Sequence, residues 1–241
     1  MKTSKQLSVN SDQLSVSSGQ YVKAIGAIVW KDLRAEFRSW ELLTTMLVFS
    51  FLAILIFNFA LDLDIKARTS ATPGVLWSTF VFAGTLGLNR SMSIEKDNGC
   101  LDGLMLTPVD RSTIYFGKFI SNLVFMLFIE LVILPVYSLL YNINLLLPEL
   151  MFVILLGSVG YTAAGTLLSG MSVQTRTRDV LLPILLLPVT LPLVIAAVQS
   201  SNSILTNSAL SDYQNWINLL LAYDVVLISA SFMLFEFILE D

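Results

Sequence analysis

Six apolar stretches separated by polar runs organise most of this chain: Leu42 to Leu61, Pro73 to Leu88, Phe119 to Tyr141, Leu150 to Met171, Val180 to Val198 and Trp216 to Leu239. A bilayer core takes about 20 residues of helix, and a helix is the one way a lone apolar segment can satisfy its own backbone in lipid. The pattern predicts an all-α polytopic membrane protein with six transmembrane helices. The second stretch is short. The fifth carries Pro183, Pro188 and Pro192, each of which removes a backbone donor that neighbouring groups must make good.

The segment before the first stretch has a different rhythm. From Tyr21 to Trp40, the apolar residues Val22, Ile25, Val29, Leu33, Phe37 and Trp40 recur every three or four positions, while Lys31, Arg34 and Arg38 occupy another face. That spacing predicts an amphipathic helix. Because a membrane span follows directly, the helix is expected to lie in the interface with its basic face toward phospholipid headgroups. Met1 to Gln20 is polar, rich in Ser and Gln, and reads as a disordered cytoplasmic tail. Residues 1–20 are thus a tail and residues 21–241 a single transmembrane domain.

Composition strengthens this reading. Hydrophobic residues make up 55% of the chain and charged residues 13%, against about a quarter charged in a soluble domain. The basic residues also orient the spans, because cytoplasmic loops are enriched in Lys and Arg. With the N-terminus in the cytoplasm, twelve of the 14 basic residues fall inside. They cluster before the first span (Lys2, Lys5, Lys23, Lys31, Arg34, Arg38), after the second (Arg90, Lys96, Arg111, Lys118) and after the fourth (Arg176, Arg178). Only Lys66 and Arg68 lie outside, next to Asp62 and Asp64. Six spans with both termini cytoplasmic follow from this alternation.

The same inventory narrows the chemistry. A single cysteine, Cys100, precludes an internal disulfide, and the lack of histidine removes the commonest metal ligand and general base. No catalytic residue and no metal site is predicted. No G-x-x-x-x-G-K-[ST] phosphate loop occurs either; Gly117-Lys118 lacks the upstream glycine and runs on into Phe119. Ser17-Ser18-Gly19-Gln20 imitates a transporter signature only in passing.

The cytoplasmic segment 89–118 is the most informative. It alternates charges with Leu101, Leu104, Met105 and Leu106 and stops at Pro108, a spacing that suits a short surface helix with one apolar face in need of a partner. Such a face would enter a cleft on another protein, with Glu95, Asp97, Asp110 and Arg111 fixing orientation at the rim. Gly103 and Pro108 belong to the same expected contact. A segment that merely caps the helices is the alternative.

A resemblance now becomes specific. The order Trp30-Lys31-Asp32-Leu33-Arg34, Phe57-Asn58-Phe59-Ala60, Pro73-Gly74-Val75-Leu76-Trp77, Phe82-Ala83-Gly84-Thr85-Leu86-Gly87-Leu88-Asn89-Arg90, Pro108-Val109-Asp110-Arg111, Gly117-Lys118 and Leu181-Leu182-Pro183 resembles the heme exporter protein B family, the membrane subunit of the cytochrome c maturation ABC transporter. The resemblance covers nearly everything beyond the first 20 residues. The resemblance implies a permease of ABC-2 exporter type that pairs with a separate ABC ATPase subunit, which holds the ATP. It also implies a heme-handling membrane protein and a periplasmic heme chaperone as partners, heme as cargo of the complex, and a homodimer of this chain within it. Movement of the segment 89–118 with the ATPase would repack the spans that flank it.

Other polar residues are candidates for movement or for packing. Glu130 lies inside the third span, where an ionised carboxylate is expensive, so it has to meet a partner or a cavity or carry a proton. Pro135 follows and loosens the backbone there. Asn58 and Asn122 suit bonds between helices, and Asp224 in the sixth span is open between roles. The small residues of the fourth span (Gly157, Ser158, Gly160, Ala163, Ala164, Gly165, Ser169) allow close helix approach, within the chain or between subunits. No heme ligand is expected, because His is absent and Met46, Met126, Met171 and Met233 read as filler. Two other functions fit the same residues: export of another amphiphilic cargo, and a non-transporting scaffold of the heme-handling machinery.

Overall fold

The computed structural model describes residues 18–60, 65–97, 99–100, 103, 111–172, 175 and 177–238. These contain seven helices: α1 (Ser18–Ser39), α2 (Glu41–Ala60), α3 (Ile65–Asp97), α4 (Arg111–Tyr141), α5 (Pro148–Ser172), α6 (Arg178–Leu205) and α7 (Leu210–Ile238). Helices α2 to α7 are long and apolar enough to cross a membrane, and the protein is a multi-pass all-α membrane protein.

Two helices form the centre. In α3 and α5, 72% of the membrane-spanning window is buried inside the protein, against 22–39% in the other four. Their sequences explain why they can sit there. Gly157 leaves room for the Trp77 indole, Gly165 for Leu88, and Gly84 for Met126 and Tyr161. The Trp77 indole N–H then donates to Ser201 Oγ of α6 at 3.0 Å, and the Tyr161 hydroxyl donates to the Val81 carbonyl at 2.6 Å while lying 2.6 Å from Thr85 Oγ1. These pairings run in register, Trp77 with Gly157 and Leu88 with Gly165, so α3 and α5 are parallel. Helix α4 runs against both, since Tyr137 reaches the Thr72 carbonyl and Asn122 reaches Thr166.

The helices outrun the expected spans. The second stretch, read as Pro73 to Leu88, is part of a 33-residue helix. Hydropathy underestimates it because a central helix exchanges lipid-facing Leu and Ile for the Ser, Thr and Gly that pack against other helices. Consequently the expected loop 89–118 is largely helical: α3 continues to Asp97 and α4 starts at Arg111, leaving 98–110 between helices. Gly99 takes φ +64°, the left-handed conformation that ends a helix, and its N–H bonds the Lys96 carbonyl at 3.0 Å. The three prolines of the fifth stretch lie within one helix, α6. Beside Pro188, the Tyr223 hydroxyl of α7 donates to the Val189 carbonyl at 3.0 Å.

Helix α1 buries only part of its apolar face: Ile25, Val29 and Leu33 are half-buried, while Arg34 and Arg38 stay exposed. Ile28 and Glu36 are buried, whereas Val22, Trp30, Phe37 and Trp40 are exposed. The inward stripe is Ile28, Asp32 and Glu36, set by polar partners on α2 and α4 rather than by the apolar face. Glu36 accepts the Leu43 N–H at 2.8 Å and so caps α2 from the preceding helix. Between the two helices Trp40 adopts φ 56°.

Candidate functional site

The charged residues of α1, α3 and α4 converge where the segment 98–110 leaves and re-enters the helices. Lys31 Nζ lies 2.6 Å from Glu95 Oε1 and 3.1 Å from Asp32 Oδ1. Lys118 Nζ lies 2.7 Å from Asp32 Oδ2 and pairs also with Glu95 Oε1. Two cations and two carboxylates thus alternate across three helices. The Lys118 side chain is only 2% exposed, and those of Asp32 and Glu95 9% each, so this is a desolvated network rather than a surface pair. Lys31, at 42%, is its solvent edge.

Local sequence accounts for the geometry. Ile28 docks on Gly117, where even a Cβ would meet its side chain, and packs in a cluster with Ile114, Tyr115 and Phe119. One turn further along α1, Asp32 arrives opposite Lys118. The Tyr21 hydroxyl donates to Ser112 Oγ at 3.0 Å and fixes the other end of the same contact. Burial alone would lower the Lys31 ammonium, but the Glu95 and Asp32 carboxylates together outweigh it and hold Lys31 above its ordinary value of 10.5. It therefore stays charged throughout the physiological range. A cleft of about 190 Å³ opens beside the network, lined by Lys31, Glu95, Ser91, Cys100, Lys118 and Phe125. That is below the roughly 300 Å³ at which drug-sized ligand sites begin, so the cleft suits water and side chains.

Sequence-predicted residues distribute unevenly around this cluster. Glu95, expected at an outer rim, points inward and is buried; Asp97, two residues later, is exposed. Gly103 is exposed, with its N–H 3.2 Å from the Gly99 carbonyl. Arg111 begins α4. Leu101, Leu104, Pro108 and Asp110 lie outside the described residues. Lys31, expected on the headgroup face, belongs to the inward network, and Asp32 and Lys118 had no assigned role. The available signal was a Lys-Asp pair inside a helix and a lone lysine, Lys118, running straight into an apolar span.

A second group lies at the middle of the bundle. Glu130 is buried and accepts a hydrogen bond from Ser158 of α5 at 2.5 Å, leaving Oε2 without a hydrogen-bond partner. Asp224 of α7 is buried against Gly160, two residues along α5, and neither of its oxygens has a hydrogen-bond partner. The two acids therefore grip α5 at one depth from different sides. Pro135 lies one turn beyond Glu130 within an unbroken α4. Met46 and Met126 are buried, each filling the space left by a glycine, Gly87 and Gly84, while Met171 and Met233 are exposed.

Comparison with known proteins matches this chain to a described family. The family model for CcmB protein matches residues 23–237. The chain is 22% identical over 183 residues to heme exporter protein B of Bradyrhizobium diazoefficiens, covering 76% of this chain and 82% of the relative. It is 23% identical over 175 residues to heme exporter protein B of Pseudomonas aeruginosa, 71% of this chain and 78% of the relative. The protein of the same name from Rhodobacter capsulatus is 23% identical over 172 residues, 70% and 78% of the two chains.

Proposed function

The chain belongs to the CcmB protein family, and from that premise we propose that it is the membrane-spanning subunit of an ATP-driven complex acting in heme export for c-type cytochrome biogenesis. Its relatives are named heme exporters, and the sequence has no G-x-x-x-x-G-K-[ST] phosphate loop, so ATP is bound and hydrolysed on a partner ABC ATPase subunit. A heme-handling membrane protein and a periplasmic heme chaperone complete the system, and two copies of this chain serve two ATPase subunits. Both termini are cytoplasmic. The chain's contribution is mechanical: it converts ATPase closure into heme transfer or into release of the heme-loaded chaperone.

The observation that carries this reading is the Lys31, Asp32, Glu95 and Lys118 network. It fastens α1 to the last turn of α3 and the first turns of α4, which are the two attachment points of the segment 98–110. A buried charge network resists being pulled apart, because each separated charge would lose its partner in a low-dielectric setting. A push on 98–110 is therefore delivered to α1, α3 and α4 together, and through the central α3 to α5 and α6. Without the network the same push would bend helix ends locally.

The test is to purify the full chain from its native membrane in mild detergent, identify co-purifying proteins by mass spectrometry and follow heme by absorbance. An ATPase subunit and heme-handling proteins are expected, with heme remaining on the partner chains when the complex is split. A preparation that carries no ATPase at all would overturn the coupling role. Heme that stays on this chain after separation would overturn the division of labour, and a different bound amphiphile would redirect the cargo.

A further inference from the structure

The outer face of α1 has a composition that the packed bundle leaves unused. Trp30 is 66% exposed and Phe37 51%, both on the side opposite the Ile28, Asp32 and Glu36 stripe, and Trp40, just past the helix end, is 46% exposed. Phe37 and Trp40 form an edge-on ring pair with centroids 5.8 Å apart. Trp30, Leu33, Phe37, Arg34 and Arg38 line an open surface cleft of about 320 Å³. The two arginines are exposed and four residues apart, so they stand one above the other on the helix surface.

Charge and depth together identify what fits there. The acids of this helix, Asp32 and Glu36, are turned inward and engaged by Lys118, Lys31 and the Leu43 N–H, so the outer face of α1 carries positive charge with no offsetting carboxylate from the helix itself among the described residues. The helix also descends along α4: Tyr21 meets Ser112, and eleven residues later Asp32 meets Lys118. It then turns at Trp40 directly into the membrane span α2. Its second half is thus at the level where the bilayer changes from headgroup to acyl chain, the zone in which Trp is enriched and Arg reaches up to phosphate.

We propose that the open cleft lined by Trp30, Leu33 and Phe37 and flanked by Arg34 and Arg38 is a binding site for one anionic phospholipid. The guanidiniums take the headgroup phosphate by paired hydrogen bonds, a geometry that ammonium groups do not reproduce, and the first acyl segment lies against the Trp30 and Phe37 rings. This lipid completes the apolar surface of α1 that the protein leaves open, and it holds α1 at the depth where Asp32 meets Lys118. The inference stands whether or not the chain works with an ATPase.

The experiment uses the full chain purified in detergent and exposed to equimolar phosphatidylglycerol and phosphatidylcholine, with the bound lipid counted by native mass spectrometry. Each arginine close to an anionic headgroup is worth about a fivefold preference, so the pair should favour phosphatidylglycerol roughly 25-fold. The double substitution R34Q/R38Q should abolish the preference, R34K/R38K should retain only part of it, and Lys23→Gln, about 16 Å away along the helix, should leave it intact. Trp30→Ala should weaken binding of both lipids. Equal uptake of the two lipids by the unaltered protein would overturn the proposal, as would an R34Q/R38Q protein that keeps the full preference. If R34Q/R38Q does not fold, the R34K/R38K and Lys23→Gln comparison decides, and equal selectivity in those two would count against the site.

Discussion

Lys118 of α4 lies 2.7 Å from Asp32 of α1, with its side chain almost wholly removed from solvent. Glu95 of α3 shares the same ammonium, so removing it leaves two buried carboxylates with only the half-exposed Lys31 between them. Lys118→Met is expected to destabilise the protein by about 3–5 kcal/mol, the range for breaking a buried ion pair from one side. Lys31→Met should cost much less, because solvent screens the pair it removes. The D32N/K118M double substitution should recover part of the loss, as the stranded charge goes with its partner. Thermal unfolding in lipid nanodiscs reads all three. Equal melting for Lys118→Met and Lys31→Met would show that the network is not the desolvated structure described.

Two glycines of the same residue type should respond in opposite directions. A Cβ on Gly157 would run into the Trp77 indole, a rigid ring already buried and tied to Ser201, so Gly157→Ala must displace a central side chain. A loss of about 1–3 kcal/mol is expected, as for other overpacked cores. Gly26, in α1, has nothing within 4 Å of its Cβ position. There Gly26→Ala should gain roughly 0.5–1 kcal/mol through reduced backbone freedom in the unfolded chain. Melting temperatures moving in the same direction would refute the packing account of α3 against α5.

What was legible in the sequence follows from what each signal measures. Helix number and the existence of α1 were readable because lipid contact imposes long apolar runs and the interface imposes a 3.6-residue period. The length of α3 was not, since its Thr72, Thr79, Thr85 and Ser93 are buried against other helices, where hydropathy counts them as loop-like. Which stripe of α1 faces the bundle was not legible for a related reason: Asp32 and Lys118 are 86 positions apart, and only their partnership turns that charged stripe inward. Glu95 was placed outward, because charge in a loop normally seeks water, whereas its side chain is buried in the network. Glu130 could be flagged from depth alone, whereas its donor Ser158 belonged to a small-residue stripe that looked like packing.

The two mid-bundle acids should separate stability from function. Glu130 has one good bond, to Ser158, whereas Asp224 has none and occupies space against Gly160. Replacing a buried polar group that has no partner removes a desolvation cost, and replacing a bonded one adds an orphan, each worth about 1–3 kcal/mol. Asp224→Leu would overfill the gap at Gly160, so the informative pair is Asp224→Ala and Glu130→Ala. The first is expected to leave melting unchanged or raise it, and the second to lower it. A gain of stability at Asp224 together with loss of heme transfer would mark that acid as retained for movement. If both variants melt lower by the same amount, Asp224 has a partner that its surroundings do not reveal.

Leu104 and Glu95 give the sharpest division between docking and coupling. Leu104 belongs to the segment 98–110, whose apolar residues are read as the contact with the ATPase, while Glu95 belongs to the network beneath it. Leu104→Asp places a charge in an apolar contact, for which a loss of at least 2 kcal/mol, or about 30-fold in affinity, is typical at a central position. The ATPase should then be lost on purification while melting of the membrane subunit stays the same. Glu95→Gln keeps the shape of the side chain but halves the negative charge facing Lys31 and Lys118, so the ATPase should remain bound while ATP turnover no longer drives heme transfer. Measuring co-purification, melting and heme loading on both variants separates the two roles. An ATPase that stays with Leu104→Asp would remove the docking assignment, and full heme transfer by Glu95→Gln would remove the network from the path of force.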